Sequence, residues 1–301
     1  MEGQLGCSQC DSVFEINNYL PRFVSMPNYA DSFGSQWNKH AKTQIDSFSG
    51  VDMSRDRFFM VTGWPKELKG QRMLEAGSGA GRFTHVALET GAKLFSFDLS
   101  NSVDVNREAN GGNENLCLFQ GDIYNIPLNM LSFDKIFCFG VLQHCPDPKK
   151  AFMNLVDYLK PGGELVVDIY DLTIRAFFNP KYWLRPLSKR IASETLYRIV
   201  HKVVPKLFPI KMGITERLPY GKYFAFFIPV AYHKGFIPKA DNLTYEQLLE
   251  WSILDTFDKF ASQYDKPQTL KTVKRWFNEA GLDRVSVRYG PNGIIGRGSK
   301  P

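Results

Sequence analysis

The chain has no apolar run near the roughly 20 residues that a spanning helix requires, which argues against a helical membrane span. It does not open on a basic segment followed by an apolar one, so no secretory signal is expected. Cysteine is sparse and odd in number: Cys7, Cys10, Cys117, Cys138 and Cys145. A reducing, cytoplasmic setting is the resulting expectation. Cys117 and Cys138 stand in apolar runs and read as buried thiols. No Gly-Lys-Ser or Gly-Lys-Thr follows a glycine turn, which excludes a phosphate-cradling P-loop. Internal repeats and low-complexity tracts are absent too. One pair has metal-ligand spacing, Cys7 and Cys10, but structural zinc takes four ligands and no second pair follows nearby. The pair reads as a relic knuckle with free thiols and no metal. Zinc shared with another chain is the alternative.

What is present is the make-up of a globular protein, 44% apolar and 23% charged. Its 301 residues suffice for one large α/β domain with insertions or for two modest domains. From residue 72 apolar stretches alternate regularly with helical ones. Strands are expected at 73–75, 93–98, 116–120, 133–139 and 164–170. Helices are expected at 54–62, 82–90, 101–109 and 147–159, with a turn at Lys160-Pro161-Gly162-Gly163. Further on, 269–280 is an amphipathic helix with Val273, Trp276 and Phe277 on one face. Residues 283–289 and 293–297 then form a hairpin. Such alternation predicts a parallel sheet covered on both faces. The fold class is α/β, a doubly wound seven-stranded sheet with its last strand antiparallel and a helical insertion after the fifth strand.

The turn after the first of these strands is Glu75-Ala76-Gly77-Ser78-Gly79-Ala80-Gly81-Arg82. Three glycines at alternate positions let the backbone pass close under a ligand and accept positive φ. Asp98 ends the next strand, where an acidic residue is the usual partner of a ribose diol. Together they predict a nucleoside site. The dinucleotide fingerprint has glycines at positions one, three and six, whereas here they stand at one, three and five. Glu75 is ill suited to a pyrophosphate and well suited to a ligand bearing an ammonium group.

With Gly121-Asp122-Ile123, Val141-Leu142-Gln143-His144-Cys145-Pro146-Asp147-Pro148 and Leu159-Lys160-Pro161-Gly162-Gly163, these residues resemble, in order, the motifs of class I S-adenosylmethionine-dependent methyltransferases. The nearest subgroup is the small-molecule branch similar to the ubiquinone and menaquinone methyltransferases (methyltransferase domain type 11). The resemblance covers about residues 70–170 and, more loosely, 269–298. It implies a Rossmann-like sheet, S-adenosylmethionine as cofactor, and a methyltransferase domain made of 73–170 and 269–301. It also implies roles. Glu75 and the Gly77 to Gly81 loop face the methionine part, with Ala76, Ser78, Gly79 and Arg82 among the cofactor contacts. Asp98 takes the ribose hydroxyls, Leu99 lies beside the adenine, and Asp122 and Ile123 meet the adenine edge. Gly140 and Val141 line the methionine side near the sulfonium, and His144 faces the acceptor. Residues 26–72 look like an N-terminal cap, closing over the cofactor through Gln36 and Trp37. Residues 1–25 look like a vestigial zinc-ribbon appendage whose first half is missing.

Between Asp171 and Ala240 thirteen Lys and Arg stand against three acids, with aromatics interleaved. Residues 171–268 read as a basic, aromatic, helical insertion serving as a lid over the acceptor. Its charge predicts an anionic small-molecule acceptor. Aromatics among cations also suit peripheral contact with a membrane through 171–240. The plainest reading is a cationic lid with a small core of its own. Methyl transfer to a hydroxyl needs a base, and His144 has the intrinsic pKa for it. Asp168 and Tyr264 are further catalytic candidates, with Tyr170, His233 and Asp265 as rivals. An Asn-Pro-Pro-Tyr type motif, which the resemblance associates with amide and ring-amine methylation, is absent, and that favours an oxygen acceptor. The alternatives are a nucleic-acid methyltransferase, disfavoured by the scattered charge, a non-catalytic cofactor-binding subunit, and a nicotinamide-dependent oxidoreductase.

Overall fold

The computed structural model describes residues 2–8, 10–25, 28–30, 46, 50–173, 178–235, 237 and 239–301. They fall in two compact units. One lies within Met1–Lys39, Ser54–Asp171 and Tyr264–Pro301, the other within His40–Met53 and Leu172–Gln263.

The first unit is built on one sheet. Its strands are β1 (Gly3–Gly6), β2 (Val13–Asn17), β3 (Leu20–Arg22), β4 (Arg72–Ala76), β5 (Lys93–Asp98), β6 (Leu116–Gln120), β7 (Phe133–Phe139), β8 (Leu159–Ile169), β9 (Asp283–Gly290) and β10 (Gly293–Ser299). The order across the sheet is β1-β2-β3-β6-β5-β4-β7-β8-β10-β9. The expected seven strands are all there, and β10 runs antiparallel to β8. The sheet nevertheless has ten. The extra three are the N-terminal residues, an antiparallel meander whose β3 joins the edge of β6 in parallel, with Arg22 opposite Gln120. These strands are short, and β1 is exposed throughout, so no buried period marks them in the sequence. Arg22 donates to Gln120 Oε1 at 3.1 Å and to Asp104 Oδ1 at 2.5 Å, and Leu20 packs on Val103 and Leu118. Strands β1 to β3 thus extend the main sheet at the edge of β6.

Among the described residues five helices cover the sheet: α1 (Met53–Thr62), α2 (Arg82–Glu89), α3 (Ser102–Asn110), α4 (Pro148–Asp157) and, late in the chain, α9 (Leu270–Glu279). The parallel strands are apolar on both faces because both are buried. Along β7, Ile136 and Cys138 join one core with Phe152 of α4 and Phe277 of α9. Phe137 and Phe139 join the other with Phe58 of α1 and Val86 of α2. Two local expectations fail. Lys160-Pro161-Gly162-Gly163 belongs to β8, because Phe133 pairs with Leu159 before the register shifts to Lys135 and Glu164. Cys117 is exposed on β6, while Cys138 is buried as expected.

The second unit is helical, as the insertion was expected to be. It holds α5 (Pro180–Ser188), α6 (Ser193–Arg217), α7 (Gly221–Ala225) and α8 (Tyr245–Ala261). Thr244 and Gln247 start α8 with a reciprocal capping box. Leu196, Val200, Val204 and Phe208 bury one stripe of α6. Leu248, Trp251, Leu254 and Phe257 bury the matching stripe of α8. His233 is buried in this unit, its ring 4.6 Å from that of Trp251. Burial pushes its pKa down to about 4 despite Asp255 at 3.2 Å, so it carries no charge at neutral pH.

Candidate functional site

Strand order reverses at β4, which has β5 on one side and β7 on the other. In open α/β sheets ligands bind outside the carboxyl ends of the strands at such a point. The glycine turn leaves β4 there, and Gly140 and Val141 leave β7 beside it. The two loops meet closely. A Cβ on Gly77 would fall 2.3 Å from Val141 Cγ2, and Gly77 has φ of +82°. Only glycine satisfies both conditions.

The turn is held from β5. Phe97 O accepts from the N–H groups of Gly77 and Ser78 at 2.9 and 3.0 Å. Asp98 Oδ2 accepts from Gly79 N at 2.9 Å. Its Oδ1 accepts from Ser100 N at 2.8 Å and from Ser100 Oγ at 2.7 Å. Asp98 is half-buried. A carboxylate offers about four lone-pair sites, so one remains after these three donors. That residual acceptor beside an all-backbone turn fits a ribose hydroxyl. Leu99 O accepts from Asn28 Nδ2 at 3.0 Å and Gln120 Nε2 at 2.9 Å. Asp122 Oδ1 accepts from Tyr124 N at 3.0 Å. Ile123 is buried, and its carbonyl accepts from Asn154 Nδ2 at 2.7 Å. Tyr29 stands close enough to Asp122 and Asp98 to feel their charge, with Cys145 beside it. With its own burial as the main cause, its hydroxyl is pushed well above the usual phenol range. Burial likewise pushes the Cys145 thiol up to about 12.

Three residues depart from their expected placement. Glu75 is turned inward and 2% exposed. The hydroxyls of Thr84 and Ser96 both donate to its Oε2, at 2.5 and 2.7 Å. Its alternation partner Ala76 is equally buried. The ammonium role therefore gives way to a supporting one under the turn. Burial, reinforced by the charge of Asp98 and opposed by those two hydroxyls, raises the Glu75 pKa from 4.5 to about 7. The folded chain then holds this proton more tightly than the unfolded chain. The resulting stability is full below about pH 4.5 and is lost as pH rises through about 7. Glu75→Gln keeps the shape without the charge. At about pH 8 it is expected to raise the unfolding free energy by on the order of 2 kcal/mol, and to change little near pH 4. Urea melts at the two pH values decide; an equal change at both would remove the charge from the explanation.

Arg82 donates through Nε to Ser54 Oγ at 2.7 Å and stacks on Phe83, tying α2 to the start of α1. Asp168 is 0% exposed. Arg57 Nη2 lies 2.9 Å from its Oδ2, and Asn292 Nδ2 donates to its Oδ1 at 3.1 Å. A carboxylate closed in this way cannot reach an acceptor, so Asp168 is corrected from catalytic candidate to structural partner. Cys7 and Cys10 are both exposed, and among the described residues no group of three or more His, Cys, Asp or Glu is placed to hold a metal ion.

His144 ends a short 3-10 turn after β7. Its Nδ1 lies 3.0 Å from Tyr264 O, and its ring meets Tyr170 edge-on at 5.7 Å. Tyr264 packs edge-on against Tyr29 at 5.5 Å. The structure therefore gathers His144, Tyr170, Tyr264 and Tyr29, with Asp265 half-buried next along the chain. Gln36 and Trp37 lie outside the described residues. Sequence reasoning passed over Arg57, Asn292 and Asn28. Arg57 follows Arg55 and Asp56 and so reads as one more charge in the polar first turn of a helix, and Asn292 reads as an ordinary turn residue.

Residues 74–167 match the family model described as a methyltransferase domain. The chain is 30% identical over 112 residues to the ubiquinone biosynthesis O-methyltransferase of Coxiella burnetii, covering 36% of this chain and 48% of that protein. It is 30% identical over 115 residues to the malonyl-[acyl-carrier protein] O-methyltransferase of Serratia marcescens, covering 38% and 44%. The matches thus span about half the length of these curated relatives. A chain in the complex between the Haloferax volcanii Trm112 methyltransferase activator and the putative methyltransferase superposes with a TM-score of 0.50 at 12% identity, over 89% of this chain and 97% of that one, which speaks for the fold alone. The sheet order, the turn at its switch point and the matched residues lead to one assignment: the chain carries a class I S-adenosylmethionine-dependent methyltransferase domain.

Proposed function

We propose that the protein methylates an oxygen atom of a small, anionic acceptor with S-adenosylmethionine as donor. The observation that carries this reading is the meeting of the glycine turn, Asp98 and the Gly140–Val141 loop at one switch point. When bound, S-adenosylmethionine supplies an electrophilic methyl group for in-line displacement. Asp98 holds a ribose hydroxyl, Leu99, Asp122 and Ile123 border the adenine, and Gly140 and Val141 border the methionine side. Tyr29 closes the described part of the cap. The O-methyltransferase relatives and the cationic insertion support an anionic oxygen acceptor.

His144 is the base in this reading. A carbonyl oxygen only accepts, so the contact with Tyr264 O places the ring proton on Nδ1. In this reading Nε2 of the neutral ring takes the acceptor's proton. His144→Ala is expected to lower kcat by about a hundredfold or more and to flatten the acidic limb of the pH profile. Unchanged turnover at every pH removes it as base. Incubating the enzyme and methyl-labelled S-adenosylmethionine with cell extract, followed by mass spectrometry, should reveal a labelled small anion. Labelled nucleic acid or protein in its place would overturn the acceptor class.

A second reading concerns where this happens. Helix α5 is inverted: Lys181 and Arg185 are buried, while Trp183, Leu184 and Leu187 are 58%, 41% and 63% exposed. Arg185 donates inward to the carbonyls of Lys259 and Ser262. Exposed Lys189 and Arg190 follow directly. An outward Trp and Leu stripe beside cations suits an anionic membrane surface. No helix among the described residues is long and apolar enough to cross a membrane. The protein is expected to sediment with phosphatidylglycerol vesicles at low salt, and Trp183→Ser with Leu187→Ser to release it. Failure of the unmodified protein to sediment sinks this reading.

A further inference from the structure

Gln143 lies in the 3-10 turn after β7, one residue before His144. It is 0% exposed, and neither Oε1 nor Nε2 of its amide has a hydrogen-bond partner. The backbone around it is fixed. Its carbonyl accepts from Lys266 N at 2.8 Å, while His144 N donates to Val141 O at 2.8 Å and Cys145 N to Leu142 O at 3.1 Å. A loose turn is therefore not the reason for the unmet amide.

The amide stands beside Gly140. A Cβ on Gly140 would meet Gln143 Nε2 at 3.8 Å and Asn292 Nδ2 at 3.9 Å. Glycine thus leaves a small space at the end of β7, edged by two side-chain amides. Asn292 Nδ2 is spent on Asp168 Oδ1, whereas Gln143 has both amide atoms unspent. A primary amide taken out of water without a partner destabilises the free protein. Stability alone would favour an apolar side chain of the same length. A partner that arrives with a ligand removes the penalty on binding, and a ligand lacking the matching group is rejected.

Position and chemistry select the ligand. Val141 meets the glycine turn on the β4 side of β7. Gln143 keeps company with Lys266 and Asn292, on the side of β8 and β10. The cofactor turn and the Gln143–His144 pair therefore flank the Gly140–Val141 corner from opposite sides. An amide carries no charge and offers two donors and one acceptor oxygen. The nearby Asp168 carboxylate is already offset by Arg57. An uncharged group that both donates and accepts fits this place best.

We propose that Gln143 binds the methyl acceptor through a hydroxyl or amide group next to the oxygen that His144 deprotonates. Nε2 donates to that group and Oε1 accepts from it. The assignment rests on the methyl-transfer reading.

Gln143→Met, unbranched, apolar and of similar length, is the test. Without ligand the variant should melt a few degrees higher than the unmodified protein, because an unmet amide is gone. A lower melting temperature would show that the amide is bonded within the fold, directly or through a trapped water, and overturns the proposal. S-adenosylmethionine titrated calorimetrically should bind both proteins equally. Weaker binding by the variant would move Gln143 to the cofactor side and overturns the assignment to the acceptor. With methyl-labelled S-adenosylmethionine and the small-anion fraction of a cell extract, labelling at limiting extract should fall about tenfold. It should largely recover at saturating extract, a rise in KM more than a fall in kcat. Labelling equal to that of the unmodified protein overturns the role of Gln143 and leaves methyl transfer standing. An unmodified protein that labels nothing overturns the methyl-transfer reading, and this assignment with it.

Discussion

Asp98→Ala is expected to weaken S-adenosylmethionine binding about a hundredfold or more while the chain stays folded. Two losses add. The first is a charge-assisted hydrogen bond to a ribose hydroxyl, worth about 1.5–3 kcal/mol. The second is the turn itself, because Asp98 Oδ2 fixes Gly79 N and Oδ1 fixes Ser100. Without that acceptor the glycine turn regains backbone freedom that binding must then remove. Together the two reach about 3 kcal/mol, which is about a hundredfold in Kd. Asp98→Asn separates the proposal from a plain size effect. Its amide nitrogen would face the Gly79 N–H, donor against donor, so asparagine should rescue little. Stability should fall by only about 1–3 kcal/mol, since the carboxylate lies at a half-buried strand end. Calorimetric titration with S-adenosylmethionine, alongside thermal melts, decides it. An unchanged Kd in either variant would refute the ribose assignment.

How much of this was legible beforehand differs by region, for physical reasons. The inner strands β4 to β8 were readable because burial on both faces makes them continuous apolar runs bounded by glycine turns. The end of α9 and the hairpin after it were readable because Gly281 and Gly293 take φ of +66° and +134°, where side chains are disfavoured. The meander β1 to β3 was not readable, because its four-, five- and three-residue strands bury little. In the site, Asp98 and the glycine turn were visible as spacing. The direction of a side chain was not. Glu75 points under the turn because Thr84 and Ser96, nine and twenty-one residues away, offer it hydroxyls in the core. Asp168 stood at a strand end like a catalytic acid, yet its partners Arg57 and Asn292 lie 111 and 124 positions distant. Such pairings belong to tertiary packing and leave no local period.

That pair carries the second large expectation. Arg57→Met should destabilise the protein by about 3–5 kcal/mol, the usual consequence of removing one partner of a buried ion pair. Asp168 has no solvent to turn to, since its side chain is 1% exposed, whereas Arg57 keeps 19%. The remaining partner, the Asn292 amide, is neutral and bonds the other oxygen. The penalty falls on the stranded carboxylate and not on the lost guanidinium. Adding Asp168→Asn to Arg57→Met should therefore restore most of the stability, a coupling that a double-mutant cycle in urea measures directly. The same variants report on function. Gly140 N donates to Asp168 O at 2.8 Å, so the β8 end supports the Gly140–Val141 loop through its backbone and not through the carboxylate. Asp168→Asn should accordingly keep kcat within about tenfold, where loss of a general base would lower it by about 10²–10⁴. A stable Asp168→Asn protein with kcat lowered by that larger factor would return Asp168 to the catalytic set. Additive effects of the two substitutions on stability would show that the ion pair is not what holds α1 to β8.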